Sequence, residues 1–221
     1  MDYRLLGFFS GFPNGFPRNV AGRLREELAQ LDSLVMIASE VSRHEKVDRY
    51  ASQWRGWFED IGLSFGEYHT IDDRTEPTRA VQLAMQASCI VLMGGDPEQQ
   101  IRFLLKTGLD EALYQTNAAI LGLSAGAVNM AVRSLRIWSS EPPREGLGLA
   151  NITIYPHFDL TDQEKLSLLL RASEELPICA MEDDSAIFVA GDRVSSMGEI
   201  RWIHRGKICP LWEGGLLCQV E

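Results

Sequence analysis

The stretch Ala118-Ala119-Ile120-Leu121-Gly122-Leu123-Ser124-Ala125-Gly126-Ala127 decides how the rest of the chain reads. Ala118–Leu123 is an apolar run of strand length, and it ends in a serine set between small residues. The pattern Gly122-x-Ser124-x-Gly126 fits a nucleophile elbow, a strand turning sharply into a helix. Small flanking residues are needed because the two arms of so tight a bend nearly touch. The serine hydroxyl is then left exposed at the end of the strand. The amide of Ala125, at the start of the following helix, can face a developing oxyanion.

Working outward, apolar runs alternate with helix-like periodic stretches. Arg4–Ser10, Leu34–Ile37, Ser64–His69 and Ala87–Met93 read as strands. Between them, Asn19–Leu31 is an amphipathic helix with Val20, Leu24 and Leu28 on one side. His44–Ile61 carries Tyr50, Trp54, Trp57 and Phe58 on one stripe, and Thr78–Gln86, Glu98–Leu105 and Leu109–Tyr114 are also helical. Strands separated by helices of this length imply parallel pairing through crossovers. The fold class is therefore α/β, a doubly wound, mostly parallel sheet flanked by helices, in a single domain over residues 1–221. Past Leu135 the pattern changes: Thr161–Ser173 is a helix, and Ala186–Ala190, Arg193–Met197 and Glu199–Ile203 are short strands at hairpin spacing. These predict antiparallel additions near the C-terminus.

Ligands of an open parallel sheet bind at the carboxyl ends of its strands, beside the topological switch point. A second unusual strand end is Met93-Gly94-Gly95-Asp96. Its glycines allow a close backbone approach to a ligand, so the Gly95 amide is the candidate second oxyanion donor, with Gly94 and Asp96 at the substrate edge. A serine nucleophile needs a base. Of the four histidines, His44 lies in a charged run and His204 in a basic hairpin-like tip, so both read as exposed. His69 ends a strand and is a competitor. His157, in Ile154-Tyr155-Pro156-His157-Phe158, follows a short apolar strand and comes after the serine in chain order, which makes it the best choice.

With 21 Lys plus Arg against 31 Asp plus Glu, the net charge of −10 disfavours a nucleic-acid partner and an anionic membrane surface. No apolar run approaches the ~20 residues of a membrane span, and the N-terminus reads as a first strand rather than a signal peptide. Cys89, Cys179, Cys209 and Cys218 show no metal-ligand spacing; they read as reduced residues of a cytoplasmic protein, with a bond between the last two left open. Trp202 and Trp212 are candidates either for a homodimer contact or for closing the core.

Taken together, the Gly94-Gly95 loop, Gly122-Leu123-Ser124-Ala125-Gly126-Ala127 and Pro156-His157-Phe158 resemble the serine peptidase family that includes dipeptidase E (aspartyl dipeptidase) and cyanophycinase. Order and separations are similar over most of the chain, and Met181-Glu182-Asp183-Asp184-Ser185-Ala186 looks like the family's acidic turn before a strand. The resemblance implies a flavodoxin-like fold related to class I glutamine amidotransferases, with serine in place of cysteine. It also implies hydrolysis of small peptides by a Ser–His pair oriented by an acid, with no metal or organic cofactor, and carries His157 over as the base.

Three departures stand out. Asp96 replaces a third glycine, Leu123 replaces a tryptophan, and the segment between Ser124 and His157 is short. The family's aspartate in that segment has no clear counterpart; Glu141 is the best acidic substitute, ahead of Asp159 and Glu182. An amino-terminal aspartate in the substrate would need a cation, for which Arg133 and Arg136 are the nearest candidates. The alternatives are a catalytically impaired binding or regulatory protein on the same scaffold, and an amidase or esterase.

Overall fold

The computed structural model describes residues 4–135 and 143–211. Its first half runs β1 (Leu5–Phe9), α1 (Arg18–Glu27), β2 (Ser33–Ile37), α2 (His44–Asp60), β3 (Glu67–Ile71), α3 (Pro77–Gln86), β4 (Cys89–Leu92), α4 (Pro97–Thr107), α5 (Leu109–Gln115), β5 (Ala119–Leu123) and α6 (Ala125–Met130). The second half runs β6 (Ala131–Ser134), β7 (Arg144–Glu145), β8 (Ala150–Tyr155), α7 (Gln163–Ala172), β9 (Ile178–Met181), β10 (Ala186–Ala190), β11 (Arg193–Met197), β12 (Ile200–His204) and β13 (Lys207–Leu211).

Seven strands form the first sheet in the order β11-β10-β1-β5-β4-β2-β3. β1, β5, β4, β2 and β3 are mutually parallel, while β10 and β11 extend the edge in antiparallel fashion. From β2 the chain steps to β3 on one side and returns to β4 on the other. The switch point therefore lies between the carboxyl ends of β2 and β4, where the crossovers diverge and leave a crevice.

The alternation along each strand sorts the core into two faces. Leu6, Phe8, Val35, Ile37, Ile90 and Leu92 pack on the side of α3 to α6, whereas Leu5, Phe9, Leu34, Met36, Cys89 and Val91 pack against α1 and α2. Period-two side-chain placement in a sheet covered on both faces produces this split, and explains why the strands read as continuous apolar runs.

The expected additions β10 and β11 are present, but much of the C-terminal half builds a second sheet that the sequence pattern did not announce. Its order is β13-β12-β9-β8-β6-β7, with β6, β8 and β9 parallel and the others antiparallel. One face of it, through Ile154, Cys179, Met181 and Ile200, joins the core beneath α3 to α6. The other, through Tyr155, Ile178, Ala180 and Ile203, is covered by α7 through Leu169. Trp202 packs against the first of these cores, while Trp212 lies outside the described residues.

The third strand is displaced from the expected Ser64–His69 to Glu67–Ile71. Gly66 donates to the Leu31 carbonyl at 2.8 Å and lies against the backbone of Asp32, so pairing with β2 starts only at Glu67. The preceding Leu63 and Phe65 fill the core from a turn.

Candidate active site

Each residue of the site leaves the carboxyl end of a strand. Phe9 of β1 pairs with Leu123 of β5, so the next residues, Ser10 and Ser124, are neighbours. Leu92 of β4 pairs with Gly122, which brings Gly94 alongside. In the second sheet Tyr155 pairs with Ala180, so the ends of β8 and β9 deliver His157 and Asp183 together.

The elbow has the strain its sequence foretold. Ser124 has φ 49° and ψ −106°, and its amide donates to the Phe9 carbonyl at 2.9 Å. A non-glycine residue at positive φ survives only where its surroundings impose it. Gly122 and Gly126 cannot be replaced. A Cβ on Gly122 would stand 2.6 Å from the Ala127 nitrogen, and one on Gly126 would collide with the Leu92 carbonyl.

The Ser124 hydroxyl lies 2.8 Å from His157 Nε2. On the far side of the ring, Nδ1 lies 2.7 Å from Asp183 Oδ1. His157 itself has φ 53°, and its amide donates to the buried Ser10 hydroxyl at 2.7 Å. Gly11 passes so close that a Cβ there would collide with Asp183 Oδ1 and stand 2.8 Å from His157 Cε1. The result is a continuous hydroxyl–imidazole–carboxylate array, with its imidazole held by backbone.

Gly94 flanks the serine: a Cβ on it would lie 3.6 Å from Ser124 Cβ. Gly95 has φ 136°, and a Cβ there would collide with Ser39 Oγ. Ser39, just past β2, donates to the Gly94 carbonyl at 2.5 Å. Behind the loop, buried Gln100 donates to the Met93 carbonyl at 3.0 Å and accepts from Asn129 of α6 at 3.0 Å, tying the glycine loop to the elbow helix. The Glu40 carboxyl sits against this loop, held below its ordinary range chiefly by the Lys46 hydrogen bond, which outweighs the push from burial, with Arg43 lowering it further.

Asp96 acts as the N-cap of α4. One oxygen accepts from the amides of Glu98 at 2.8 Å and Gln99 at 3.1 Å, and the other from the Gln99 side chain at 2.8 Å. Burial pushes this carboxyl up, and the bonds from Gln99 and Glu98 more than offset it, leaving it below the usual value. Both oxygens of the expected substrate residue are thus engaged within the protein. Arg133, on β6, pairs with Glu145 at 3.2 Å and does not line the cleft at Ser124. Arg136 and Glu141 lie outside the described residues. Asp159 accepts from the Thr161 amide and hydroxyl at 2.8 and 2.7 Å, and Glu182 points toward Arg201 at 3.9 Å.

Of the other histidines, His69 pairs with Glu67 at 2.8 Å on the opposite edge of the sheet, His44 with Asp73 at 2.5 Å, and His204 stacks edge-on to Trp202. His44, Asp72 and Asp73 bring ligand-type atoms within 4.8 Å of one another, but Asp72 is already bound by Arg74 at 2.6 Å. Burial pushes the Cys179 thiol up to about 12 and the Cys89 thiol higher still, so neither competes as a nucleophile. Cys218 lies outside the described residues, and with it the pairing left open for Cys209.

Residues 25–197 match the model of peptidase family S51. The chain belongs to that family. Its membership makes it a hydrolase, a serine peptidase of the dipeptidase E type. Solved structures share the fold. A peptidase from an acI-B1 actinobacterium superposes with a TM-score of 0.75 at 18% identity, over 96% of this chain and 95% of that one. A candidate peptidase E from Listeria monocytogenes EGD-e gives 0.67 at 20% identity, over 88% of this chain and 98% of that one. No match is found among curated proteins. No helix among the described residues of this S51 member is long and apolar enough to cross a membrane.

Two of the site's residues escaped the sequence reading. Ser10 follows the first strand, so the rule that singled out the ends of β4 and β5 applies to it equally. Asp183 lies inside the acidic turn Met181–Ala186, but its place becomes legible only once Ile178–Met181 is recognised as a strand parallel to β8.

Proposed function

We propose that Ser124, His157 and Asp183 form the catalytic triad of a peptidase that hydrolyses small peptides through a covalent ester. The observation that carries this reading is the pair of contacts on one imidazole, 2.8 Å to the serine hydroxyl and 2.7 Å to the carboxylate. Asp183 takes the orienting role expected of Glu141. Its contact with Nδ1 keeps the Nδ1–H tautomer, so that Nε2 is free to accept a proton.

In the first step Ser124 Oγ attacks the scissile carbonyl and passes its proton to His157 Nε2. The amides of Gly95 and Ala125 stabilise the oxyanion; the elbow geometry and the close seat of the glycine loop beside Ser124 support that assignment. The imidazolium then gives its proton to the departing amine. Water, activated by the same nitrogen, attacks the ester and regenerates the serine. Every proton transfer uses His157, and the two backbone amides and one water complete the cycle. A cytoplasmic setting belongs to the same reading, supported by free thiols at buried Cys89 and Cys179.

A non-catalytic binding role drew its appeal from a missing acid, and Asp183 beside His157 removes that motive. The test is hydrolysis of a dipeptide panel by the wild-type protein and by Ser124→Ala. Turnover should fall by about 10⁶ in the variant. Equal activity in the two proteins would refute the mechanism.

A further inference from the structure

The cleft at Ser124 has a volume of about 310 Å³, at the lower end of small-ligand sites and enough for a peptide of about two residues. Its wall on the α2 side is aromatic. Tyr50, Trp54 and Trp57 fall at i, i+4 and i+7 on α2 and line the cleft together with Phe12. The rings brace one another, with centroids 5.2 Å apart for Trp54 and Trp57 and 6.4 Å for Phe12 and Trp57. A prearranged aromatic wall binds an apolar group without first paying to order itself.

The charges point the same way. Among the described residues lining the cleft there is no Lys or Arg, and the ionisable ones are Tyr50, His157 and Asp183. Lys46 and Arg49 lie 5.5 and 5.6 Å from the centroid of Tyr50 but are not among the described residues lining the cleft, and Lys46 is paired with Glu40. A carboxylate entering here would lose water, gain no counter-ion from the described lining and face Asp183.

We propose that the substrate side chain held beside Ser124 is aromatic or large and aliphatic rather than acidic, and that Phe12, Tyr50, Trp54 and Trp57 form its pocket. The proposal rests on reading this cleft as the peptide site, and it sets the chain apart from an aspartyl dipeptidase. It names a specificity wall on α2, a helix that takes no part in the chemistry.

Binding to the Ser124→Ala protein tests it without relying on turnover. Calorimetric titrations with Phe-Ala, Ala-Phe, Asp-Ala and Ala-Asp should show the better phenylalanine peptide binding at least about tenfold tighter than the better aspartate peptide. In the same background Trp57→Ala should weaken the phenylalanine peptide about tenfold and leave the aspartate peptides unchanged. Gln53, exposed on the cleft side of α2, offers a second variant that does not disturb the core. Gln53→Arg should narrow the gap by strengthening aspartate binding. Aspartate peptides that bind as tightly as phenylalanine ones in the Ser124→Ala protein would overturn the proposal, as would a preference unmoved by Gln53→Arg. Failure of the wild type to hydrolyse any peptide would strike the triad mechanism instead, leaving this order of affinities readable.

Discussion

The backbone amide of His157 donates to the side chain of Ser10, 147 residues earlier in the chain, at 2.7 Å. The same hydroxyl donates to the Met181 carbonyl at 2.9 Å, and Ser10 is fully buried. One hydroxyl thereby joins the strand ends that carry His157 and Asp183 to the strand beside Ser124. Ser10→Ala takes the partner from the half-buried His157 amide, while the Met181 carbonyl still accepts from the Phe158 amide at 2.9 Å, so the cost is about 1 kcal/mol. It should also lower kcat about 10²-fold, because the imidazole loses its register with Ser124. Urea unfolding and steady-state kinetics separate the two effects. An unchanged kcat in a destabilised protein would reduce Ser10 to a packing role.

Asp183 and Glu141 make opposite predictions. Asp183→Asn keeps the shape of the side chain but favours the wrong imidazole tautomer, and kcat should drop by about 10⁴. Glu141→Gln should leave kcat within about threefold of the wild type. Reversal of the two results would return the orienting role to Glu141.

Gly11 is constrained by its neighbours and not by its own backbone angles. A methyl there would press on both Asp183 and His157. Gly11→Ala is expected to cost about 1–3 kcal/mol and to reduce kcat at least about 10²-fold, as the acid and base are pushed apart. Labelling of Ser124 by a fluorophosphonate should slow in parallel, since it needs the same base. Labelling at the wild-type rate would contradict the clamp.

The cap on α4 carries a pH signature. The Asp96 carboxyl is held below its ordinary value in the folded protein. Its contribution is therefore complete above the unfolded value of about 3.9 and is lost as pH falls through the lower folded value. Asp96→Ala should cost about 1 kcal/mol at pH 7, and the difference from wild type should shrink below about pH 4. Denaturant midpoints of both proteins at pH 7 and pH 3 measure this directly. A constant difference would mean that the helix is held by other contacts.

The parallel sheet and the elbow were legible because both rest on local signals. Apolar runs of strand length alternate with helical periodicity up to Leu123, and the small residues around Ser124 are demanded by a bend within a few positions. The second sheet was not legible. β9 is four apolar residues after a helix, β7 is two residues, and pairing of β6, β8 and β9 depends on partners far along the chain. Missing β9 hid Asp183, which is meaningful only as a residue beyond a strand end. Asp96 carries two local signals at once. Its position beside the glycine pair looked like a ligand site, while the Pro-Glu-Gln that follows it is an ordinary helix start with an aspartate cap. The aromatic stripe on α2 was visible as a stripe, but only the packed structure shows three of its members lining the cleft.

The chain crosses from one sheet to the other at both ends of the proposed triad. Ser124 stands where β5 of the first sheet gives way to α6 and β6 of the second, and Asp183 where β9 of the second returns to β10 of the first. His157 belongs wholly to the second. Turnover therefore works as a gauge of alignment across that seam: a shear of about one ångström between the two layers would cost about 10²-fold in rate while each layer kept its own ladder of backbone bonds.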